Sequence, residues 1–134
     1  IKKYFFRFID ERLSPIGGSG PLGFYLVEIK KHDKIKMNQL VDLTPYHKSH
    51  STRIVSRLFD MNLINKETDP EDMRGYILSI TEKGRETAIL VEKAHEDWDK
   101  LESQALTKDE IIILNKLNEK TYLFLKKHFE EDKK

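Results

Sequence analysis

Cysteine is missing from this 134-residue chain, which excludes disulfides, zinc–thiolate sites, iron–sulfur clusters and any thiol-based redox switch. Long apolar runs are missing too. The longest, Ile111–Leu114 among them, are four residues and fall far short of the roughly 18 that suggest a membrane span. Net charge is nearly absent: 24 basic side chains balance 23 acidic ones, leaving +1 with His neutral, so overall charge favours neither nucleic acid nor membrane. No signal peptide is expected, since Ile1-Lys2-Lys3-Tyr4 opens directly into an aromatic-rich amphipathic pattern. Enzymatic signatures are lacking as well. No Ser-His-Asp set lies in a recognisable elbow, and Gly17-Gly18-Ser19-Gly20 has neither a preceding strand nor a Gly-Lys-Ser/Thr continuation. The carboxylates are scattered, so the chain is not expected to be an enzyme, and no cofactor or metal is implied.

What the chain does have is charge in quantity and in blocks. Charged residues make up 35 % and apolar residues 38 %, a wet composition for a chain this short, which buries only about two thirds of its unfolded surface. The expectation is a soluble, cytoplasmic, oligomeric protein. From Tyr46 to Phe59 the ionised residues are Lys48, Arg53 and Arg57, with no acid and two further His. From Glu92 to Glu110 seven acids face three Lys. A basic segment inside a balanced chain is a better cue to nucleic acid than a high overall pI.

Periodicity predicts helices at both ends and a mixed middle. Tyr4, Phe5, Phe8, Ile9 and Leu13 fall at helical spacing, and a loop follows from Ser14-Pro15 to Gly20. Pro21 suits the first turn of a second helix carrying Leu22, Tyr25, Leu26 and Ile29. Met37–Leu43 is a short helix broken by Thr44-Pro45, and His47–Asp60 is another, with Asn62 suited to a left-handed end. Leu63–Thr68 and Tyr76–Thr81 are strand candidates joined by a projecting loop. Thr81 can cap a long helix to about Gln104 whose inward stripe is Ala88, Val91, Ala94, Trp98, Leu101 and Ala105. Thr107 and Glu110 form a capping box for a last helix bearing Ile113, Leu114, Leu117, Phe124 and Leu125, and a charged tail closes the chain over Glu130–Lys134. The fold class that follows is mainly α with a small β-hairpin wing, a winged helix-turn-helix plus a terminal-helix dimerisation region. Residues 33–83 are expected to form the winged helix-turn-helix module, and 1–32 and 84–134 the remaining helices, including the dimerisation region, of a single subunit spanning 1–134.

The helix His47–Asp60 carries the functional signal. At about 100° per residue, with Ile54 at zero, Leu58, Ser51 and Val55 fall within about 100° and define a buried side. The opposite side holds Ser49, Thr52, Arg53 and Ser56, flanked by Arg57. Arg pairs bidentately with guanine O6 and N7, while Ser and Thr reach phosphates or base edges without blocking close approach to the groove. Ordinary exposed faces mix Glu with Lys for pairwise support, and this one does not.

Two segments resemble the multiple-antibiotic-resistance regulator (MarR) family. One is Leu40–Ile64, with Lys48-Ser49-His50-Ser51-Thr52-Arg53 opening the recognition helix; the other is Asp72-x-Arg74-x-x-x-x-x-Ile80-Thr81-x-x-Gly84 across the wing. The resemblance implies a homodimeric transcription regulator, read as a repressor, that binds double-stranded DNA at near-palindromic operators. It implies release by a small aromatic or anionic effector. The DNA-binding residues it suggests are His47, Lys48, Ser49, His50, Thr52, Arg53, Ser56, Arg57, Asp72 and Arg74. The effector is expected where the second helix (Phe24, Tyr25, Glu28) meets the start of the long helix (Arg85, Ile89). Three positions depart from the family's habit: His47 replaces a capping acid, Asn62 a Gly, and Met73 a basic wing residue. Asp72 can hold Arg74 extended toward a narrow minor groove, or form a local surface ion pair with it.

Other residues have blander readings. His47 and His50 stand at a spacing that could hold metal, but both lie beside the basic face and read as DNA-side polar residues. Trp98 reads as a core or interface anchor, and Tyr4, Phe5, Phe6 and Phe8 as dimer packing. The alternative function is a winged-helix protein-interaction module whose hydroxyl-and-Arg face meets an acidic protein.

Overall fold

The computed structural model describes residues 1–131; of the charged tail predicted over Glu130–Lys134, Asp132 to Lys134 lie outside the described residues. The chain divides into two compact units, Ile1–Trp98 and the stretch from Asp99 onward. The first holds α1 (Lys2–Leu13), a 3-10 turn at Ser14–Ile16, α2 (Gly20–His32), β1 (Lys34–Lys36), α3 (Met37–Leu43), α4 (Lys48–Asp60), β2 (Ile64–Thr68) and β3 (Tyr76–Ile80). It also holds most of α5 (Glu82–Ser103); the second unit takes the end of α5 and all of α6 (Lys108–Glu131).

Local chemistry explains most of these boundaries. The Ser19 hydroxyl accepts from the Leu22 N–H at 3.5 Å, and Pro21 follows in the first turn of α2. Asn62 takes the left-handed conformation (φ 62°) that ends α4 and turns the chain into β2. The Thr81 hydroxyl accepts from the Gly84 N–H at 2.9 Å and donates to the Asn62 carbonyl at 2.8 Å, so one side chain starts α5 and ties it to the end of α4. Thr107 and Glu110 close a reciprocal capping box on α6 at 2.9 and 3.2 Å.

The sheet departs from expectation. The hairpin β2–β3 is present, but β3 is central, with β1 paired antiparallel along its other edge (Lys34 opposite Ser79, Lys36 opposite Ile77). A three-residue strand reading Lys-Ile-Lys has a single inward residue, too little alternation to register in a pattern that needs four residues or more.

The main core gathers Leu22, Tyr25, Leu26 and Ile29 of α2 with Ile35, Leu40, Val55, Leu58, Leu63, Ile64, Leu78 and Ala88. This core crosses the boundary set at residue 33, so α2 is as much part of the winged module as α3 is. Gly84 brings α5 onto the sheet: a Cβ there would lie 2.0 Å from the Leu63 carbonyl oxygen and 2.8 Å from Ile80 Cγ1. A smaller cluster joins Ile9 and Leu13 of α1 to Val91 and Ala94 of α5. Beside it the Trp98 ring meets Phe5 and Phe8 at 5.5 and 5.6 Å between centroids.

The predicted stripe of α5 is buried at Ala88, Val91 and Ala94, while Leu101 is half exposed. In the second unit, α6 carries Ile113, Leu117, Phe124 and Leu125 as exposed side chains. Among the described residues no helix is long and apolar enough to cross a membrane.

Candidate nucleic-acid interface

The buried side of α4 is the one the helical wheel predicts: Ser51, Val55 and Leu58 are buried and Ile54 packs against the core. Ser51 is a polar residue in that core, and Tyr25 satisfies it. The two hydroxyls lie 2.5 Å apart, and the Tyr25 hydroxyl also donates to Thr44 Oγ1 at 3.2 Å. This hydrogen bond pins the first turn of α4 to α2, inside a core where an unpaired hydroxyl costs about 1–3 kcal/mol.

Lys48, Ser49, Thr52, Arg53 and Ser56 are exposed together on the opposite side. Ser49 and Thr52 have their hydroxyls engaged locally, with His47 Nδ1 (2.9 Å) and the Lys48 carbonyl (3.0 Å). Arg53 makes no hydrogen bond or ion pair among the described residues. A cleft of about 510 Å³ runs from this face to the wing, walled by Met37 and Val41 of α3, Thr52 and Ser56 of α4, and Lys66, Arg74 and Tyr76 of the hairpin.

Three residues predicted on that face also have partners within the fold. His47 is the N-cap of α4: its Nδ1 accepts from the Ser49 N–H at 3.2 Å, replacing the carboxylate common at this position. Nδ1 is the acceptor in that bond, and Nε2 takes no part in it. His50 turns off the face. Its ring is half-buried, stacked on Tyr46 at 4.7 Å and 13°, with Nε2 buried and unpartnered among the described residues. Tyr46 in turn lies 6.0 Å from the Tyr25 ring, and burial raises its hydroxyl pKa above the ordinary 10.0. Arg57 donates from Nη2 to the Gly17 carbonyl at 3.1 Å.

The wing is built on carboxylates. Asp69 is buried and accepts from the Glu71 N–H at 2.9 Å, while its own N–H reaches the Gly75 carbonyl at 3.0 Å. Lys36, at the start of α3, meets Asp69 at 3.6 Å and Glu71 at 3.0 Å, and these two carboxylates raise its pKa, Glu71 contributing most. Two acids of the wing are thereby partly neutralised, a role that Lys36 does not show in the sequence because it lies some 35 residues away. Asp72 acts on the backbone rather than on the guanidinium. Its Oδ1 accepts from the Arg74 N–H at 3.1 Å, and among the described residues no ion pair joins the two side chains. Arg74 is exposed beside Met73 at the tip.

The five residues expected around an effector differ in exposure and in their partners. Tyr25 is fully enclosed with its hydroxyl in use. Phe24 is half-buried, Glu28 pairs with Lys31 at 3.2 Å, Arg85 pairs with Asp33, and Ile89 is 56 % exposed.

Comparison with known proteins agrees with this geometry. The family model described as MarR matches residues 21–76. The HTH-type transcriptional regulator BilQ of Clostridioides difficile (strain CD3) is 30 % identical over 99 residues, covering 74 % of this chain and 67 % of that protein. Among solved structures, a crystal structure of MarR superposes with a TM-score of 0.86 at 26 % identity, covering 93 % of this chain and 91 % of the other. A mutant MarR from E. coli complexed with operator DNA superposes with a TM-score of 0.76 at 24 % identity, covering 90 % and 86 %. With its hairpin wing, its outward-facing α4 and a relative that shares most of its length, the chain belongs to the MarR family of winged helix-turn-helix transcription regulators.

Proposed function

We propose that this chain is a homodimeric, sequence-specific reader of double-stranded DNA, laying α4 into the major groove at each half of a near-palindromic operator. The observation that carries the reading is the exposed set Lys48, Ser49, Thr52, Arg53 and Ser56, which meets no acid before Asp60 at the end of the helix and leaves Arg53 unengaged. A guanidinium without an internal partner, on a helix face otherwise lined by short hydroxyls, is suited to a guanine edge. Arg74, raised at the wing tip by the Asp72 turn, would enter the flanking minor groove, where a narrow A·T tract attracts guanidinium. Lys48 and the His47 Nε2 serve phosphates. Two-fold symmetry supplies the second half-site, and the exposed apolar side chains of α6 supply the surface for it. The complex of the E. coli relative with operator DNA supports the same use of this fold.

A small aromatic or anionic effector belongs to the same reading at the α2–α5 junction. Phe24, Glu28, Arg85 and Ile89 are its contacts, and an anion there would compete with Asp33 for Arg85. Repression is the regulatory sense this release implies. A panel of aromatic acids that leaves operator affinity and thermal stability unchanged would remove the effector from the account.

The decisive experiment is operator selection from random duplexes, followed by titration of wild type, Arg53→Ala and Arg74→Ala. Arg53→Ala is expected to cost about 1–3 kcal/mol and to relax the preference at one operator position. Arg74→Ala should weaken binding and alter the preference for A·T-rich flanks, with Asp72→Ala a milder version. Unchanged affinity and base preference in both arginine variants would overturn the reading in favour of a protein-interaction module.

A further inference from the structure

We infer that Arg57 is a positioning residue rather than a DNA contact: it ties the C-terminal half of α4 to the α1–α2 turn and so fixes the angle at which α4 meets DNA. The inference rests on the DNA-binding reading above and sharpens it.

The hydrogen bond from Arg57 Nη2 to the Gly17 carbonyl joins residues 40 apart in sequence. The acceptor sits on stiff backbone. Gly17 is left-handed (φ 72°), its N–H donates to the Ser14 carbonyl at 3.0 Å, and the Gly18 N–H donates to the Leu13 carbonyl at 3.0 Å. Leu13 is fully packed against α5 through Val91 and Ala94, so the turn is anchored to α1 and α5. A second contact falls at the same place: Met61, at the end of α4, brings its Cε to 3.9 Å from where a Cβ on Gly17 would stand.

Geometry on α4 itself points the same way. Ser51 is pinned to Tyr25 near the start of the helix, and Arg57 is held six residues further on, about 9 Å along the axis. Two fixed points set the direction of a rod. On the wheel, Arg57 lies about 90° from the middle of the outward face held by Ser49, Thr52, Arg53 and Ser56, whereas Asp60 falls within about 30° of that middle. A phosphate would meet Asp60 at this end of the helix, so the C-terminal turn is poorly placed for the backbone of DNA. The first two turns read, and the last one orients.

The test uses the full chain, titrated on its selected operator and on a random duplex over a range of salt, as wild type, Arg57→Ala and Arg57→Gln. Arg57 is exposed, and neither variant empties the core. Expected in both variants is a fall of about tenfold in operator affinity, with random-duplex affinity and the salt slope unchanged. Non-specific binding and salt slope count phosphate contacts, and losing one lowers the slope by about 0.9. A parallel loss on both duplexes with a shallower slope would make Arg57 a phosphate contact and overturn the inference, as would an operator affinity equal to wild type. One further readout needs no DNA. Amide hydrogen exchange at Gly17 and Gly18 should quicken in Arg57→Ala, and an unchanged rate there would remove the tether. If wild type itself fails to distinguish operator from random duplex, the DNA reading falls, while the exchange rates still decide whether the tether exists.

Discussion

Gly84 is required by the backbone of another segment and not by its own conformation. Leu63 directs its carbonyl oxygen to within 2.0 Å of where a Cβ would stand, and a backbone carbonyl cannot swing aside as a flexible side chain can. Gly84→Ala is therefore expected to destabilise the fold by about 3 kcal/mol, a drop on the order of 10 °C in Tm. Gly75→Ala is the control, since a Cβ there meets nothing closer than 3.5 Å, and its effect should stay within about 0.5 kcal/mol. Thermal unfolding of the two variants separates them. The sequence motif contained this glycine without its reason, because the clash is with a residue outside the motif. Ser51 was legible in another way: its place among Ile54, Val55 and Leu58 on the wheel marked it as inward. Its partner was not legible. Tyr25 looks equally suited to line an effector site until the fold brings its hydroxyl to Ser51.

Helices were readable as elements because apolar spacing marks their bodies and local signals mark several of their ends. Pro21, Asn62, Thr81 and the Thr107–Glu110 pair use local hydrogen bonds or fixed backbone angles, and local rules read local chemistry. Strand β1 escaped because its partner β3 is distant in sequence and a strand of three residues has no pattern of its own. Ties between elements escaped for the same reason. Arg12 of α1 meets Asp97 of α5 at 2.7 Å, with Lys93 adding a second contact at 3.1 Å. The hydrogen bonds from Arg12, then from Lys93, lower the Asp97 pKa below its ordinary 3.8. A carboxyl whose folded pKa is depressed contributes stability that is present above the unfolded pKa and is lost as pH falls through the folded one. The tie between α1 and α5 should thus hold at pH 5 and weaken below about pH 4. Melting curves of wild type and Asp97→Asn should converge as pH is lowered from 5 to 3, with wild type the more stable at the upper end. Because both partners are accessible to water, the gap at pH 5 is small and falls further with added salt.

At the scale of the whole molecule, the proposed dimer makes a direct prediction. Light scattering at micromolar concentration should return twice the chain's 15.9 kDa, because α6 exposes Ile112, Ile113, Leu117, Leu123 and Phe124, large apolar side chains that a second subunit would cover. A monomeric mass would remove the dimer and, with it, the two-fold match to a palindromic operator. The sheet carries one more consequence. Lys34 and Ser79 are paired neighbours on β1 and β3, and Asp33 is bonded to Arg85 just beyond them, so the segment between Lys34 and Ser79 begins and ends at one place. Everything between those two points is a closed excursion from the path that runs from α2 to α5. Residues added at its exposed tips, in the Pro45 turn or around Met73 in the wing, lengthen the excursion without shifting the register of the helices outside it. The reach of the wing toward a neighbouring surface can be retuned by insertion while the frame that carries it keeps its dimensions.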